Sequence, residues 1–180
     1  MNEAKVEAPF PSPQSSLEEA KTWLRARFAK GATCPCCHQH VKLYKRKLHK
    51  SMVFVLLLIA RYYRRIDVKA DQWLHVPSHI NEVLAGNPRR SAAVRADWAK
   101  LKLWGLLEEK PAVRADGSPR VGYWRMTQLG WQFVNRQVKV PSHVYVYNDQ
   151  LLPRTVDTMV TIDEALTTEF SYAEIMGEAS

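Results

Sequence analysis

The feature that most constrains this chain is an uninterrupted apolar run, Met52–Ala60. The run has nine residues, far fewer than the roughly 20 that a membrane-spanning helix needs, so it predicts a buried helix. We expect this helix to run from Ser51 to about Arg65. Its last turn is rich in arginine, a charge that the helix dipole favours there. A helix that is apolar on nearly every side indicates the centre of a folded core.

The length and the cysteine content agree with a core of this kind. A chain of 180 residues buries about two-thirds of its unfolded surface and needs no disulfide staples. All three cysteines lie within Cys34–Cys37, which is too close for a disulfide framework and favours a reducing compartment. The first 20 residues are polar and contain prolines, unlike a signal peptide. We therefore expect a cytoplasmic protein without a membrane partner.

Charge is distributed unevenly along the chain, whose formal net charge is +8. Residues 41–140 carry 20 lysines and arginines against 7 acidic residues, a net charge of +13. Residues 151–180 carry one arginine against six acidic residues, a net charge of −5. A basic body predicts a polyanionic partner, and an acidic tail is able to fold back on such a body. The alternative is that the basic surface serves only solubility.

Composition and pattern divide the chain into four segments. Residues 1–16, with three prolines and three serines, predict a flexible arm. Residues 17–50 begin with a helix that Ser16 caps and continue into a loop of cysteines and histidines. Residues 51–140 predict a central domain. Residues 141–180 predict a hairpin and then an acidic C-terminal extension.

Helices and strands alternate in the central domain. The expected elements are, in chain order, a helix over 78–85, a helix over 91–104, a strand over 106–113, a strand over 120–126 and a helix over 127–138. In the second helix, Val94, Trp98 and Leu101 recur at the spacing of one helical face. Between the strands, Asp116-Gly117 is a strong turn signal.

Two segments of the central domain resemble winged helix-turn-helix proteins of the multidrug-resistance-regulator and phenolic-acid-regulator kind. DWAKLKLWGLLE, from Asp97 to Glu108, resembles the end of a recognition helix that leads into the wing. GYWRMTQLGWQFV, from Gly122 to Val134, resembles the return strand and the helix after it. The resemblance implies an α+β fold, mainly α, with a winged helix-turn-helix core at 51–140. It also implies a DNA-binding transcription regulator that forms a homodimer. The chain as a whole resembles small bacterial or bacteriophage accessory proteins.

The nucleic-acid contacts that this resemblance implies come from lysine and arginine side chains. A helix fits the major groove, and cations near its start and at the wing tip reach phosphates. A second group follows the cysteine loop, where cations alternate with apolar and aromatic residues. The candidate residues are Arg89, Arg90, Arg95, Lys100, Lys102, Arg114, Arg120, Lys45, Arg46 and Lys47. For each one alone, the alternative is an ordinary solvated surface charge.

Two residue types near these cations bear on the kind of partner. Alanines at positions 92, 93, 96 and 99 leave the second helix few groups that read bases, which favours phosphate contacts and modest sequence specificity. The same alanines suit a helix that packs against a partner protein. The aromatic residues of the wing region are expected to pack inside the core, namely Trp104, Tyr123, Trp124 and Trp131.

The cysteine loop contains a Cys-x-x-Cys pair, Cys34 and Cys37, which resembles half of a zinc ribbon. Zinc prefers four ligands at a structural site, and His40 and His49 are the candidates that complete the set. The neighbouring Cys36 and His38 are alternative ligands. Other possibilities stay open: a loop of free thiols, a zinc ion shared between subunits, or a ribbon that has lost its metal.

The sequence contains none of the common catalytic motifs. A Gly-rich phosphate loop, a His-Glu-x-x-His zinc motif and a Gly-x-Ser-x-Gly nucleophile motif are all missing. We therefore expect a non-catalytic protein whose favoured partner is double-stranded DNA. The alternative is a protein-binding adaptor or inhibitor, encoded by a phage, that docks on a host complex through the same module or the acidic tail. Salt separates the two, because phosphate binding weakens steeply as salt rises.

Overall fold

A computed structural model of the chain describes residues 9–66, 72–84, 97–111, 117, 122–147, 150–152 and 156–177. The chain divides into two compact units. The first takes in Met1–Arg46 and Tyr145–Pro153, and the second takes in Lys47–Val144 and Arg154–Ser180. Tyr145–Pro153 therefore belong to the same unit as the N-terminal residues. This division differs from the four consecutive segments expected.

The described residues form short helices and short strands. The helices are α1 (Leu17–Arg25), α2 (Lys50–Arg65), α3 (Val76–Val83), α4 (Gln128–Val134), α5 (Ile162–Leu166) and α6 (Tyr172–Met176), with 3₁₀ helices at Trp98–Trp104 and Thr167–Glu169. The strands are β1 (Ala32–Thr33), β2 (His40–Val41), β3 (Tyr44–Lys47), β4 (Leu74–His75), β5 (Leu107–Glu109), β6 (Tyr123–Met126), β7 (Val140–Pro141), β8 (His143–Tyr147), β9 (Gln150–Leu151) and β10 (Met159–Val160).

In the first unit, α1 begins at the cap that the sequence predicts. The hydroxyl of Ser16 accepts the backbone N–H of Glu19 at 3.2 Å, and the Glu19 carboxylate accepts the backbone N–H of Ser16 at 2.7 Å. This reciprocal capping box satisfies two N–H groups that the helix start leaves without partners. The Ser16 backbone N–H also lowers the pKa of the Glu19 carboxyl group. Gly31, with φ of +87°, then turns the chain into the β1–β2 hairpin.

The remaining strands of the first unit come from distant parts of the chain. β8 and β9 pair antiparallel with Val146 opposite Leu151, which confirms the hairpin predicted beyond Pro141. β3 lies on the other side of β8 in the same sheet. The sequence did not predict β3, since its residues Tyr44–Lys47 include three consecutive cations and lack the period-two alternation that marks a strand. The rings of Phe28 and Tyr147 lie 4.9 Å apart in this unit.

The second unit is built around α2, as the apolar run predicts. Every residue of Met52–Ala60 is buried. α3, the 3₁₀ helix Trp98–Trp104, α4, α5 and α6 all pack against α2. Coverage from this many sides explains why the helix carries no polar face over those nine residues.

The acidic C-terminal extension is part of this core. The ring of Phe170 stacks on that of Phe54 with centroids 4.8 Å apart. The buried Tyr172 hydroxyl donates to the Val134 carbonyl at 3.0 Å. Thr161 starts α5 with a second capping box, in which its hydroxyl accepts the backbone N–H of Glu164 at 3.2 Å. The tail thus completes the hydrophobic core, although its sequence reads as a charged appendage.

A three-stranded antiparallel sheet lies beside these helices in the order β4-β6-β5. The middle strand β6 pairs with both neighbours, so that Leu74 and Glu109 lie opposite Trp124 on its two sides. Trp124 and Met126 are buried, whereas the alternate residues Tyr123 and Arg125 are half-exposed. The period-two alternation predicts this division of one strand into a core face and an outer face.

The expected fold class, an α+β chain that is mainly α, is wrong in its proportion of helices to strands. The described residues form four small sheets of two or three strands beside the helices, which is a mixed structure. The strands β3, β7 and β10 fall in segments where the sequence predicts no strand, because such short strands carry too little alternation to detect. Within the described residues, none of the helices combines the length and the apolar character that crossing a bilayer requires.

Candidate nucleic-acid interface

The predicted second helix of the central domain is described from Asp97 onward, and there it is a 3₁₀ helix, Trp98–Trp104. Trp98, Leu101 and Trp104 recur every three residues, so in a 3₁₀ helix they share one face. Leu101 and Trp104 are buried, and the Trp98 ring contacts that of Trp124 edge-on with centroids 5.3 Å apart. Gly105, with φ of +69°, ends the 3₁₀ helix at the place where the helix expected over 91–104 also ends.

Both candidate lysines of this 3₁₀ helix have carboxylate partners. Lys100 Nζ lies 2.6 Å from Asp97 Oδ2, and Lys102 Nζ lies 2.9 Å from Glu109 Oε2. Lys102 also lies 5.7 Å from the centroid of the Trp124 ring. Each lysine therefore reaches solvent with its charge already balanced by a neighbour.

Five other candidates lie outside the described residues: Arg89, Arg90, Arg95, Arg114 and Arg120. The alanines at 92, 93 and 96 and the expected turn Asp116-Gly117 fall there too, except for Gly117 itself. Their roles in binding stay predictions.

The candidates of the basic run lie on β3, an edge strand of the β3-β8-β9 sheet. All four residues of β3 are exposed, including Lys45, Arg46 and Lys47. The guanidinium of Arg46 lies 5.7 Å from the centroid of the Tyr44 ring. In the part of the chain that the structure describes, no carboxylate pairs with any of these three cations. Charged side chains are also a common protection of an edge strand against pairing with another chain, which is the alternative role of this run.

The outer face of the β4-β6-β5 sheet carries aromatic and cationic side chains that the sequence reading missed. Arg125 is held flat by Glu108, whose Oε2 lies 2.8 Å from both Nε and Nη2 of the guanidinium. The guanidinium lies over the ring of Trp73 at 4.6 Å from its centroid. Lys110 Nζ lies 5.9 Å from the Trp73 centroid and 6.0 Å from that of Tyr123.

The aromatic residues of this region do not all belong to the core. Trp104 and Trp124 are buried, as predicted, and Trp104 Nε1 donates to the Pro141 carbonyl at 2.7 Å. Tyr123 is only partly buried and lies on the outer face of the sheet, so the expectation of a core position is wrong for it. Trp131 is partly exposed, but its ring packs edge-on against that of the buried Tyr63 with centroids 5.5 Å apart. The signal that separates Tyr123 from Trp124 was available, because adjacent residues of a strand point to opposite faces.

The acidic tail balances some of the basic charge of its own unit. Arg136 makes a bidentate pair with Asp163, at 2.8 Å and 2.9 Å, and its guanidinium lies 3.8 Å from the centroid of the Tyr172 ring. Glu169 pairs with Lys50. The tail therefore does fold onto basic residues of its own unit, and those residues are not among the candidate contacts.

The Cys-x-x-Cys pair lies in the tip of the β1–β2 hairpin. The tip contains three cysteines, Cys34, Cys36 and Cys37, and all three are free thiols. The tip is held by backbone bonds from Cys34 N–H to the Gln39 carbonyl at 2.8 Å and from His38 N–H to the Cys34 carbonyl at 2.9 Å. Backbone N–H groups of Cys37 and then Cys36 point at the Cys34 sulfur and lower the pKa of its thiol. A sulfur supported in this way is more readily the thiolate that binds metal.

The structure places the two predicted histidine ligands in different surroundings. A Cβ on Gly31 would lie 2.9 Å from His40 Nε2, so the His40 ring lies beside the residue that precedes β1, whereas Cys34 follows β1. His49 belongs to the second unit, where it precedes the first turn of α2. Among the described side chains, no group of three or more His, Cys, Asp or Glu residues is arranged to hold a metal ion. The zinc site of Cys34, Cys37, His40 and His49 stays a prediction.

Two histidines of the second unit are buried, His79 and His143. Burial lowers the pKa of His79, and its Nε2 has no hydrogen-bond partner among the described residues. A neutral imidazole in α3 is a packing residue.

Comparisons with protein-family models, with curated proteins and with solved structures find no match to this chain. The resemblance to winged helix-turn-helix regulators therefore stays a prediction.

Proposed function

We propose that this protein binds nucleic acid, double-stranded DNA in the first instance, and that it contacts phosphates without catalysing a reaction. The observation that carries the proposal is the edge strand β3, which exposes Lys45, Arg46 and Lys47 with no carboxylate partner in the described part of the chain. Unpaired surface cations release counterions from DNA when they reach phosphates, and this release is the main source of non-specific affinity.

The distribution of acidic residues supports the same proposal. Several carboxylates of the second unit are engaged with cations of the same unit, as Asp163 is with Arg136 and Glu109 is with Lys102. What remains unbalanced is a local excess of positive charge within a segment whose net charge is +13. Such an excess attracts polyanions over the range of the Debye length, about 10 Å at 0.1 M salt. Regulation of transcription, in the cytoplasm and as a homodimer, is the role that the sequence resemblance adds to this proposal.

The test is a fluorescence-anisotropy titration of the full chain against a labelled 30-base-pair duplex, at 50 mM and at 200 mM salt. We expect binding that weakens by at least about tenfold between the two salt concentrations, because each phosphate contact steepens the log–log salt dependence by about 0.9 and β3 offers three cations. Lys21→Gln is the control for a change in net charge alone. Lys21 pairs with Glu18 in α1, so its removal lowers the net charge by one without altering β3. The absence of binding at 50 mM salt would exclude the proposal and favour the adaptor alternative.

A further inference from the structure

The outer face of the β4-β6-β5 sheet is a regular array of six side chains in two rows. The first row crosses the sheet as His75, Tyr123 and Lys110, because His75 pairs with Tyr123 and the Lys110 N–H donates to the Tyr123 carbonyl at 2.9 Å. The second row holds Arg125 between Glu108, its cross-strand partner, and Trp73, which precedes β4. Successive rows are two residues apart on each strand, or about 6.6 Å.

Each row contains an aromatic ring next to a cation. In the first row the rings of His75 and Tyr123 lie 5.1 Å apart, and Lys110, which directly follows β5, lies on the other side of Tyr123. In the second row the Arg125 guanidinium covers one side of the Trp73 ring. The side chains of Trp73, Tyr123, Arg125 and Lys110 are all partly exposed, and His75 is exposed.

Burial in the core does not explain this array. The core side of β6 is already filled by Trp124 and Met126, which are buried against the helices. The one carboxylate of the array, Glu108, is committed to Arg125 at 2.8 Å and serves to hold the guanidinium flat. The remaining charge of the array is positive, and its rings and guanidinium plane present flat surfaces on the outside of a sheet.

These surfaces match the chemistry of unpaired bases. Bases stack on aromatic rings and on guanidinium planes, while neighbouring cations contact the phosphates between them. A paired duplex keeps its base faces inside the stack, so only an unpaired or extruded base offers a face to such an array. Each row thus offers one stacking surface, and Lys110, which lies about 6 Å from the centroids of both the Trp73 and Tyr123 rings, supplies a cation for the phosphate between them.

We propose that the outer face of the β4-β6-β5 sheet binds single-stranded nucleic acid by stacking unpaired bases on Tyr123 and on the Trp73–Arg125 pair. Lys110 contacts the phosphate between the two stacked bases. This inference rests on the proposed function and names a second ligand form for it, single strands, at a site separate from the phosphate-binding strand β3. Either DNA or RNA strands supply the shared chemistry of an exposed base face.

The test compares a labelled 15-nucleotide oligothymidylate, the corresponding oligouridylate and a 15-base-pair DNA duplex, all titrated with the full chain at 50 mM salt. Tyr123→Leu removes the ring but keeps apolar bulk, and Tyr123→Phe is the matched variant that keeps the ring. We expect Tyr123→Leu to weaken binding of the single strands by at least about fivefold, the loss of one stacked base. Tyr123→Phe should bind them like the unmodified protein. Both variants should leave binding of the duplex unchanged.

The outcomes separate the two proposals. If the unmodified protein binds none of the three ligands, the proposed function fails, and this inference fails with it. If it binds the duplex while Tyr123→Leu retains full affinity for both single strands, only the stacking site is overturned. Equal loss with the duplex and the single strands would also overturn it, because a stacking site has no claim on paired bases. A difference between thymidylate and uridylate decides which kind of strand is preferred.

A second measurement removes the dependence on a folded variant. A 15-nucleotide strand that carries 5-bromodeoxyuridine is irradiated with the unmodified protein, and the crosslinked peptides are identified by mass spectrometry. We expect crosslinks in the peptides that contain Trp73 or Tyr123. Crosslinks confined to peptides from other parts of the chain would overturn the proposal whether or not Tyr123→Leu folds.

Discussion

Two basic segments of this protein, the edge strand β3 and the 3₁₀ helix Trp98–Trp104, look alike in sequence and differ in structure. Both combine two lysines with aromatic residues in a short stretch of chain. On the 3₁₀ helix, Lys100 and Lys102 each have a carboxylate within 2.9 Å. On β3, Lys45 and Lys47 have none among the described residues.

The difference teaches that a count of cations is not a count of available charge. A lysine that already pairs with a carboxylate must give up part of that interaction before it neutralises a phosphate, so its net gain is small. A lysine without a partner gains the whole effect. The resemblance to DNA-binding helices emphasises the Ser91–Trp104 segment, whereas the described ion pairs favour β3 as the stronger contact.

Removal of the β3 cations should give the largest effect and tests the comparison directly. In the variant Lys45→Gln, Arg46→Gln, Lys47→Gln, the log–log salt slope of binding to a 30-base-pair duplex should fall by about 2.7, since three phosphate contacts are lost. The double variant Lys100→Gln, Lys102→Gln should change the slope by less than about 0.9. The comparison breaks if the two variants lose the same affinity in anisotropy titrations over 50–200 mM salt.

Zinc in the β1–β2 hairpin, which precedes β3, provides a second test of this comparison. If Cys34 and Cys37 bind zinc, elemental analysis of the purified protein should find zinc that disappears in Cys34→Ser and Cys37→Ser and persists in Cys36→Ser. Thiols must lose protons to bind, so zinc should dissociate as the pH falls. The lowered pKa of Cys34 extends binding to a lower pH than an ordinary thiol would allow. Equal zinc content in all three variants would exclude the Cys34–Cys37 pair as ligands.

If the hairpin binds zinc, removal of the metal should affect duplex binding through β3 and not through the 3₁₀ helix. Chelation should weaken duplex binding through β3, which follows the hairpin directly, by several-fold in the unmodified protein. It should have little further effect in the triple β3 variant. A chelator effect of equal size in both proteins would show that the metal acts elsewhere.

Release of a paired lysine should give the smallest effect, and one of opposite sign. Glu109→Gln removes the partner of Lys102, whose side chain is about half exposed. We expect duplex affinity to rise by about twofold to fivefold, the range that corresponds to breaking one exposed ion pair. Glu18→Gln, which removes the partner of Lys21 in α1, is the control for the change in net charge. An equal rise in both variants would mean that pairing does not silence Lys102.

Local signals in the sequence predicted the parts of the fold that local interactions determine. Ser16 caps α1 as expected, and Thr127 caps α4 at the start of the helix expected over 127–138, because a hydroxyl three residues before a backbone N–H is a short-range contact. The run Met52–Ala60 became the central helix, since a buried helix needs only its own apolar surface. Gly105 stops the 3₁₀ helix in the left-handed conformation that glycine favours.

Long-range pairing determined the parts that sequence reasoning did not reach. β3 exists because Leu48 N–H donates to the Ser142 carbonyl and the neighbouring residues join β8, nearly 100 positions later in the chain. Likewise, Lys102 meets Glu109 across the junction between a helix and a strand, a partner that no helical spacing predicts. The array around Tyr123 was not predicted for the same reason, since its two rows combine residues that lie on or next to three separate strands.

The enclosure of α2 has a consequence for how the chain is made. The Arg61 side chain donates to the Ile175 carbonyl, 114 residues later, and Phe170 covers Phe54 only after residue 170 has been synthesised. At 5–20 residues per second, nine consecutive apolar residues of α2 wait about 5 to 20 seconds for their last cover. During that interval the nascent chain resembles a substrate for chaperones. Synthesis that stops before residue 162 would leave a product that aggregates rather than a smaller folded protein.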